Sequence, residues 1–244
     1  MILNERIAIL TPKVFLVPYS EHHVPTYNDW MQDEELQNAT SSEPLTLEQE
    51  YEMQRSWRQD ADKLTFIACI TPPALYEPED NVKISEEHDS PENMLGDVNL
   101  FLSEDDEEEE ESTGDRRLGG IIGEVEIMIA RKDLQGNGYG KRILLAFLWY
   151  ISSSLDGIVA EYCSNHRGIS GQGYLKFLRV KIGGKNTRSI RLFESVGFQK
   201  ISDKVNYFGE LELRWVISEK DSAQLAQLQG TVLKCVEYSL RKQI

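Results

Sequence analysis

Between Glu124 and Ile129 the chain alternates strictly: Val125, Ile127 and Ile129 fall on one side, Glu124, Glu126 and Met128 on the other. A period of two predicts a strand. A few residues later the pattern becomes Gly136-Asn137-Gly138-Tyr139-Gly140, and apolar groups then recur at helical intervals through Tyr139, Ile143, Phe147 and Ile151. The expected unit is a strand, a glycine-rich loop and a helix. Before it, the patterning predicts a strand over 13–19 and a helix over 22–31 carrying Tyr27 and Trp30, extended through 33–36. Thr46-Leu-Glu-Gln49 has the form of a capping box and opens a second helix that runs through Trp57. Strands follow at 65–70 and 95–102. After the central unit, 157–173 is a glycine-containing connection without a clear period, and 174–182 is a strand. A helix is expected over 186–197, with Gly197 as its cap, and strands over 198–202 and 209–217. The remainder, 219–244, spaces Leu225, Leu228, Val232, Val236 and Leu240 like a helix.

Two stretches have no period, about 74–93 and 103–117. Charge explains why. Between Tyr76 and Asp115 there are seventeen Asp and Glu against Lys83 alone, so this region carries −16 of the net −15 and the rest of the chain is near +1. Such segments bury too little apolar surface to offset ordering entropy, and both inserts are expected to be disordered or very mobile. The alternative is a surface for a basic partner. With 244 residues, 40% of them hydrophobic, one domain over 1–218 with a helical extension over 219–244 is expected. No stretch reads as a membrane span, and the first ten residues are too charged for a signal peptide. The three cysteines are widely spaced, and His22 and His23 are remote from the other histidines, so no metal site is expected. The expectation is a cytoplasmic or nuclear monomer that engages neither nucleic acid nor membrane.

A glycine loop entering a helix gathers free backbone N–H groups and the positive helix end at one point, a natural seat for phosphate. Three loop patterns can be compared with it. The P-loop fails because Gly140-Lys141 is followed by Arg142 and Gln135 stands where the first glycine belongs. The dinucleotide fingerprint fails on spacing, GxGxG in place of GxGxxG. The third, Q/R-x-x-G-x-G/A, is met by Gln135 to Gly140.

That match resembles the acetyl-coenzyme A loop of the GNAT superfamily of N-acetyltransferases. The order of elements and a second signature, Asn186-x-x-Ser189-x-x-x-Phe193-x-x-x-Gly197-Phe198, extend the resemblance over Val14 to Ile217. Within the superfamily the chain is most similar to the N-acetyltransferase 9-like proteins, through Val14–Tyr19, His23–Met31, Ser42–Tyr51, Asp60–Lys63, Gly96–Phe101 and Gly123–Ala130. The resemblance implies an α/β (α+β) GNAT fold: a mixed, mostly antiparallel seven-stranded sheet flanked by helices and splayed at its central strands. It implies acetyl transfer from acetyl-CoA directly to an amine, with no metal, and a protein or peptide amine as acceptor. Gln135, Gly136, Asn137, Gly138, Tyr139, Gly140 and Lys141 would hold the pyrophosphate. The backbone of Ile127, Met128 and Ile129 would pair with pantetheine, flanked by Asn186, Ser189 and Phe193. Glu124 and Glu126 are the candidate bases. Many members place a tyrosine where Phe193 stands, so water or another hydroxyl such as Tyr207 would have to protonate the leaving thiolate. That departure and the acidic tract favour an alternative, a degenerate acetyl-CoA-binding scaffold, interacting with partners or with microtubules.

Overall fold

The computed structural model describes residues 1–75, 82–105, 120–166 and 173–239. Ten strands form one sheet: β1 (Ile7–Leu10), β2 (Val14–Pro18), β3 (Lys63–Ile70), β4 (Ile84–Ser85), β5 (Met94–Glu104), β6 (Gly120–Ile129), β7 (Tyr174–Gly183), β8 (Gln199–Lys200), β9 (Glu210–Trp215) and β10 (Lys234–Ser239). Their spatial order is β4-β10-β1-β2-β3-β5-β6-β7-β9-β8. All pairs are antiparallel except β6 with β7 and β10 with β4.

Side-chain alternation gives each face its own core. On one face lie α1 (Val24–Trp30), α2 (Glu34–Thr40) and α3 (Leu47–Gln59); Tyr27, Met31 and Leu36 pack there with Phe15, Val17, Ile67 and Met128. On the other lie α4 (Tyr139–Ser153), α5 (Leu155–Asn165), α6 (Thr187–Glu194) and α7 (Asp221–Gln229), over Phe66, Val98, Leu100, Val125 and Leu178. Local chemistry sets several ends. Thr46 and Gln49 form the expected reciprocal cap of α3, and the Asp33 carboxylate accepts from the N–H groups of Glu35 and Leu36 to start α2 as a separate helix.

Three strands were not anticipated. The most informative is β10, which stands at Lys234–Ser239 where the expected C-terminal helix would continue; 240–244 lies outside the described residues. Gly230 closes α7 with φ +67, a left-handed conformation that stops a helix, and the following residues pair with β1, Ile7 opposite Glu237. The tail therefore belongs to the main sheet. The expected mobile insert 74–93 is also corrected in part: β4 lies within it, and Asp89 is fully buried. Its carboxylate takes hydrogen bonds from His22 Nε2 (3.1 Å), His23 Nε2 (3.1 Å) and the Tyr238 hydroxyl (2.7 Å). Three anchors from two distant elements explain why a segment with so little apolar surface is ordered. Of the second acidic stretch, Asp105 is buried and meets Lys176 of β7, while 106–117 lies outside the described residues. The expected connection 157–173 is α5 as far as Asn165, and 167–172 lies outside the described residues.

Candidate active site

The site begins where β6 and β7 part. Residues Gly120–Glu124 of β6 are in register with Tyr174–Arg179 of β7. Beyond Glu124, β6 continues to Ile129 paired only with β5 among the described residues, and β7 continues paired only with β9. Parallel neighbours that separate in this way leave one edge of β6 with backbone donors and acceptors unmatched, which an extended ligand can use as a strand would. Ile127 turns its backbone groups to that edge, whereas the Met128 carbonyl points toward Gly96 of β5. Ile129 lies on the edge too, but its carbonyl already accepts from Gln135 Nε2 at 2.8 Å, so it serves the loop.

The glycine loop lies at the end of this gap. Gly136 and Gly138 have φ +83 and +81, and a Cβ built on Gly138 would meet nothing within 4 Å. The position demands glycine for its backbone and faces open space. Gly138 is the N-cap of α4 and supplies no side-chain acceptor to the helix's first N–H groups. An uncapped helix start behind glycines is suited to an anion. Asn137 Nδ2 donates to the Leu134 carbonyl (3.2 Å), holding the turn. Tyr139 turns half inward against the α4-side core, Gly140 faces Leu192, and Lys141 occupies the first turn. A cation outside the expected set, Arg188 at the start of α6, reaches across the loop and donates to Gln135 Oε1 at 3.4 Å. Its only sequence signal was its place inside the Asn186–Gly197 signature. The loop residues thus fit a diphosphate through backbone N–H groups and flanking cations.

The two candidate carboxylates differ sharply. Glu124 Oε2 accepts from Arg179 Nε at 2.7 Å and meets Lys181 Nζ at 3.1 Å. Glu126, two residues on and on the same face, has no hydrogen bond or ion pair among the described residues and keeps an open surface beside the strand gap. Crowding by protein, then repulsion from Asp97 and Glu124, push its carboxyl up to about 7. A group that titrates near neutrality and is free to accept a proton is suited to general-base work. Glu124 is tied to two cations and suits that role less.

The signature residues of α6 have structural roles of their own. Asn186 Oδ1 accepts from the Ser189 N–H at 3.1 Å, so the pair caps the helix. Phe193 is 2% exposed and packs edge-on against Phe198 at 5.1 Å, inside the core. Tyr207 stands 96% exposed between β8 and β9. Elsewhere, His22, His23 and Asp89 bring donor atoms of the metal-ligand type within 4.8 Å. His23 Nδ1 accepts from the Ser20 N–H, leaving Nε2 to donate to Asp89, so these atoms are already engaged in a structural bond set.

The comparisons agree with this geometry. The family described as Acetyltransferase (GNAT) domain matches residues 13–199. The chain is 38% identical over 232 residues to an N-acetyltransferase 9-like protein of Schizosaccharomyces pombe, covering 87% of this chain and 97% of that one. It is 38% identical over 230 residues to the alpha/beta-tubulin-N-acetyltransferase 9 of Homo sapiens, covering 93% and 91%. Among solved structures, spermidine N-acetyltransferase from Vibrio cholerae, in complex with CoA and spermine, superposes with a TM-score of 0.55 at 14% identity, covering 86% of this chain and 97% of that one. The chain belongs to the GNAT family of acetyltransferases and is an acyltransferase.

Proposed function

We propose that the protein transfers acetyl from acetyl-CoA to an amine of a protein, with Glu126 as the base. The observation that carries this reading is the unpaired Glu126 carboxylate beside the open edge of β6, with the glycine loop at the far end of the same gap. Gln135 to Lys141 hold the diphosphate, with Arg188 over the loop, and the open edge of β6 at Ile127 aligns the pantetheine amides. Bound acetyl-CoA supplies a thioester activated for acyl transfer. Glu126 takes the proton of the acceptor amine, directly or through one water. The amine nitrogen bonds the acyl carbon, the carbon–sulfur bond breaks, and the thiolate takes its proton from solvent, because Phe193 offers none.

Tubulin is the acceptor named for the human relative, and the amino terminus of a tubulin chain is the first acceptor to examine here. An α-amino group loses its proton near pH 8 and a lysine near 10.4, so a base titrating near 7 suits the former better. The test is acetyl transfer to tubulin and to peptides of its termini, followed by intact mass. Acetylation that stops with Glu126→Gln supports the reading. Tight acetyl-CoA binding with no transfer to any amine supports the second reading, a binding scaffold, which the buried Phe193 favours.

A further inference from the structure

On the face of the sheet covered by α1 and α3, the centre is polar where a core would be expected. Thr65, Asn99 and Glu126 lie directly opposite one another on β3, β5 and β6, and directly opposed residues share a face. Asp97 joins them two residues from Asn99, whose Nδ2 donates to it at 2.9 Å; the Tyr27 hydroxyl of α1 donates to the same oxygen at 3.1 Å. From α3, Glu50 enters this group at 1% exposure. Four of the buried polar atoms here have no hydrogen-bond partner among the described residues: Tyr19 Oη, Glu50 Oε1, Thr65 Oγ1 and Asn99 Oδ1. Desolvation, then repulsion from Asp97, raises Glu50 and Glu126 to about 7; desolvation raises Asp97 to about 6 against hydrogen bonds that lower it.

Asp97 thus stands close enough to repel both Glu50 and Glu126, and no Lys or Arg pairs with Glu50 or Asp97 among the described residues. A buried unpaired carboxylate is costly, and α3 shows the ordinary solution one turn later: Gln54 donates its Nε2 to the Tyr19 carbonyl at 2.9 Å. Glu50 does not follow that pattern. The unmatched atoms are acceptors or hydroxyls able to accept, and the group is acidic, so a cation with several N–H donors suits it. Glu126 alone can take the amine proton. Asp97, on the next strand, and Glu50, on the helix above, extend the acidic group beyond that need.

We propose that Glu50, Asp97 and Asn99, behind Glu126, form a specificity subsite for an ammonium or guanidinium side chain carried by the acceptor next to its reacting amine. The proposal rests on the acetyl-transfer reading above for its link to catalysis.

Four acceptor peptides, identical except for Arg, Lys, citrulline or norleucine at the second residue, test it with the full chain. Binding is measured by calorimetry in the presence of coenzyme A, and transfer separately by kcat/KM with acetyl-CoA. The wild type should favour Arg over citrulline by about tenfold or more in both, and Glu50→Gln should bring that ratio to within about twofold, as expected when a buried charge pair loses one partner. Asp97→Asn provides a second reading should Glu50→Gln fold poorly. Equal handling of Arg and citrulline by the wild type would overturn the subsite, as would an undiminished preference in both variants. Preferential binding without transfer would keep the subsite and remove the acetyl-transfer reading; transfer without preference would do the reverse. Glu50→Gln should also raise the melting midpoint of the free protein, because an unpartnered buried charge has gone. A lowered midpoint together with retained preference would mark Glu50 as structural and overturn its part in the subsite.

Discussion

Glu124 and Glu126 lie two residues apart on one face of β6, and among the described residues only Glu124 is paired, with Arg179 at 2.7 Å and Lys181 at 3.1 Å. The difference follows from where β7 leaves β6. Glu124 is the last residue in register with β7, opposite Arg179, whereas Glu126 lies past the split and bonds neither cation among the described residues, feeling only the charge of Lys181.

The pH profile should reflect that asymmetry. With Glu126 near 7, kcat/KM should climb through about pH 7 and level off above it. Glu126→Gln should lower the neutral rate on the order of a hundredfold and recover partly at high pH, where the amine deprotonates unaided. Glu124→Gln should move the midpoint to lower pH, because it removes a negative neighbour that raises Glu126. Rates of both variants from pH 6 to 10 decide the assignment, and an unmoved midpoint in Glu124→Gln would contradict it.

Gly138→Glu should abolish acetyl-CoA binding while leaving the fold in place. The site has room for a side chain, so the structural cost is the left-handed backbone alone, roughly 1–2 kcal/mol. The added carboxylate would face the diphosphate seat. Calorimetry on the folded variant measures this, and an unchanged affinity would remove the loop from the site.

Much of this unit was readable in advance, because strand alternation, glycine spacing and helical period are local signals. The β6–loop–α4 order, the α3 capping box and both candidate carboxylates came from such signals. The choice between the carboxylates did not, since it depends on Arg179 and Lys181, 55 and more residues away. Nor did β10: residues 232, 236 and 240 continue a helical spacing, and Gly230 alone signals the stop. Asp89 sat within an acidic run and looked solvated. Its burial depends on His22, His23 and Tyr238, which adjacent sequence does not reveal.

That buried cluster should govern acid stability. Burial raises the Asp89 carboxyl, but the bonds from His22, His23 and Tyr238 outweigh it and hold the group well below the usual carboxylate range. Burial lowers His23, outweighing its bond to Asp89. Both groups bind fewer protons folded than unfolded, so stability falls as pH falls, first below about 6.5 for the histidine and further below about 4 for the aspartate. Asp89→Ala should cost about 3 kcal/mol by leaving its partners unpaired. Denaturant unfolding at pH 8, 6 and 4 checks the sign, and a variant as stable as the parent at pH 8 would refute it.

Phe193→Tyr should not restore a proton donor. The ring is buried against Phe198, and the added hydroxyl would enter an apolar core, costing about 1–3 kcal/mol if unpartnered. The expected result is a lower melting midpoint with no gain in kcat. A faster variant would show that this position reaches the thioester after all.

The pairing of Ile7 with Glu237 also has a consequence for synthesis on the ribosome. β1 gains its outer neighbour only once β10 has been made, and β4 has no partner strand until then. Contacts of such wide chain separation are closed late and slowly. A nascent chain lacking its last strand would therefore expose the outer edge of β1, a template for pairing with another copy. Translation that stalls before residue 234 should yield an aggregation-prone product, even though every residue of the glycine loop and both carboxylates has already emerged.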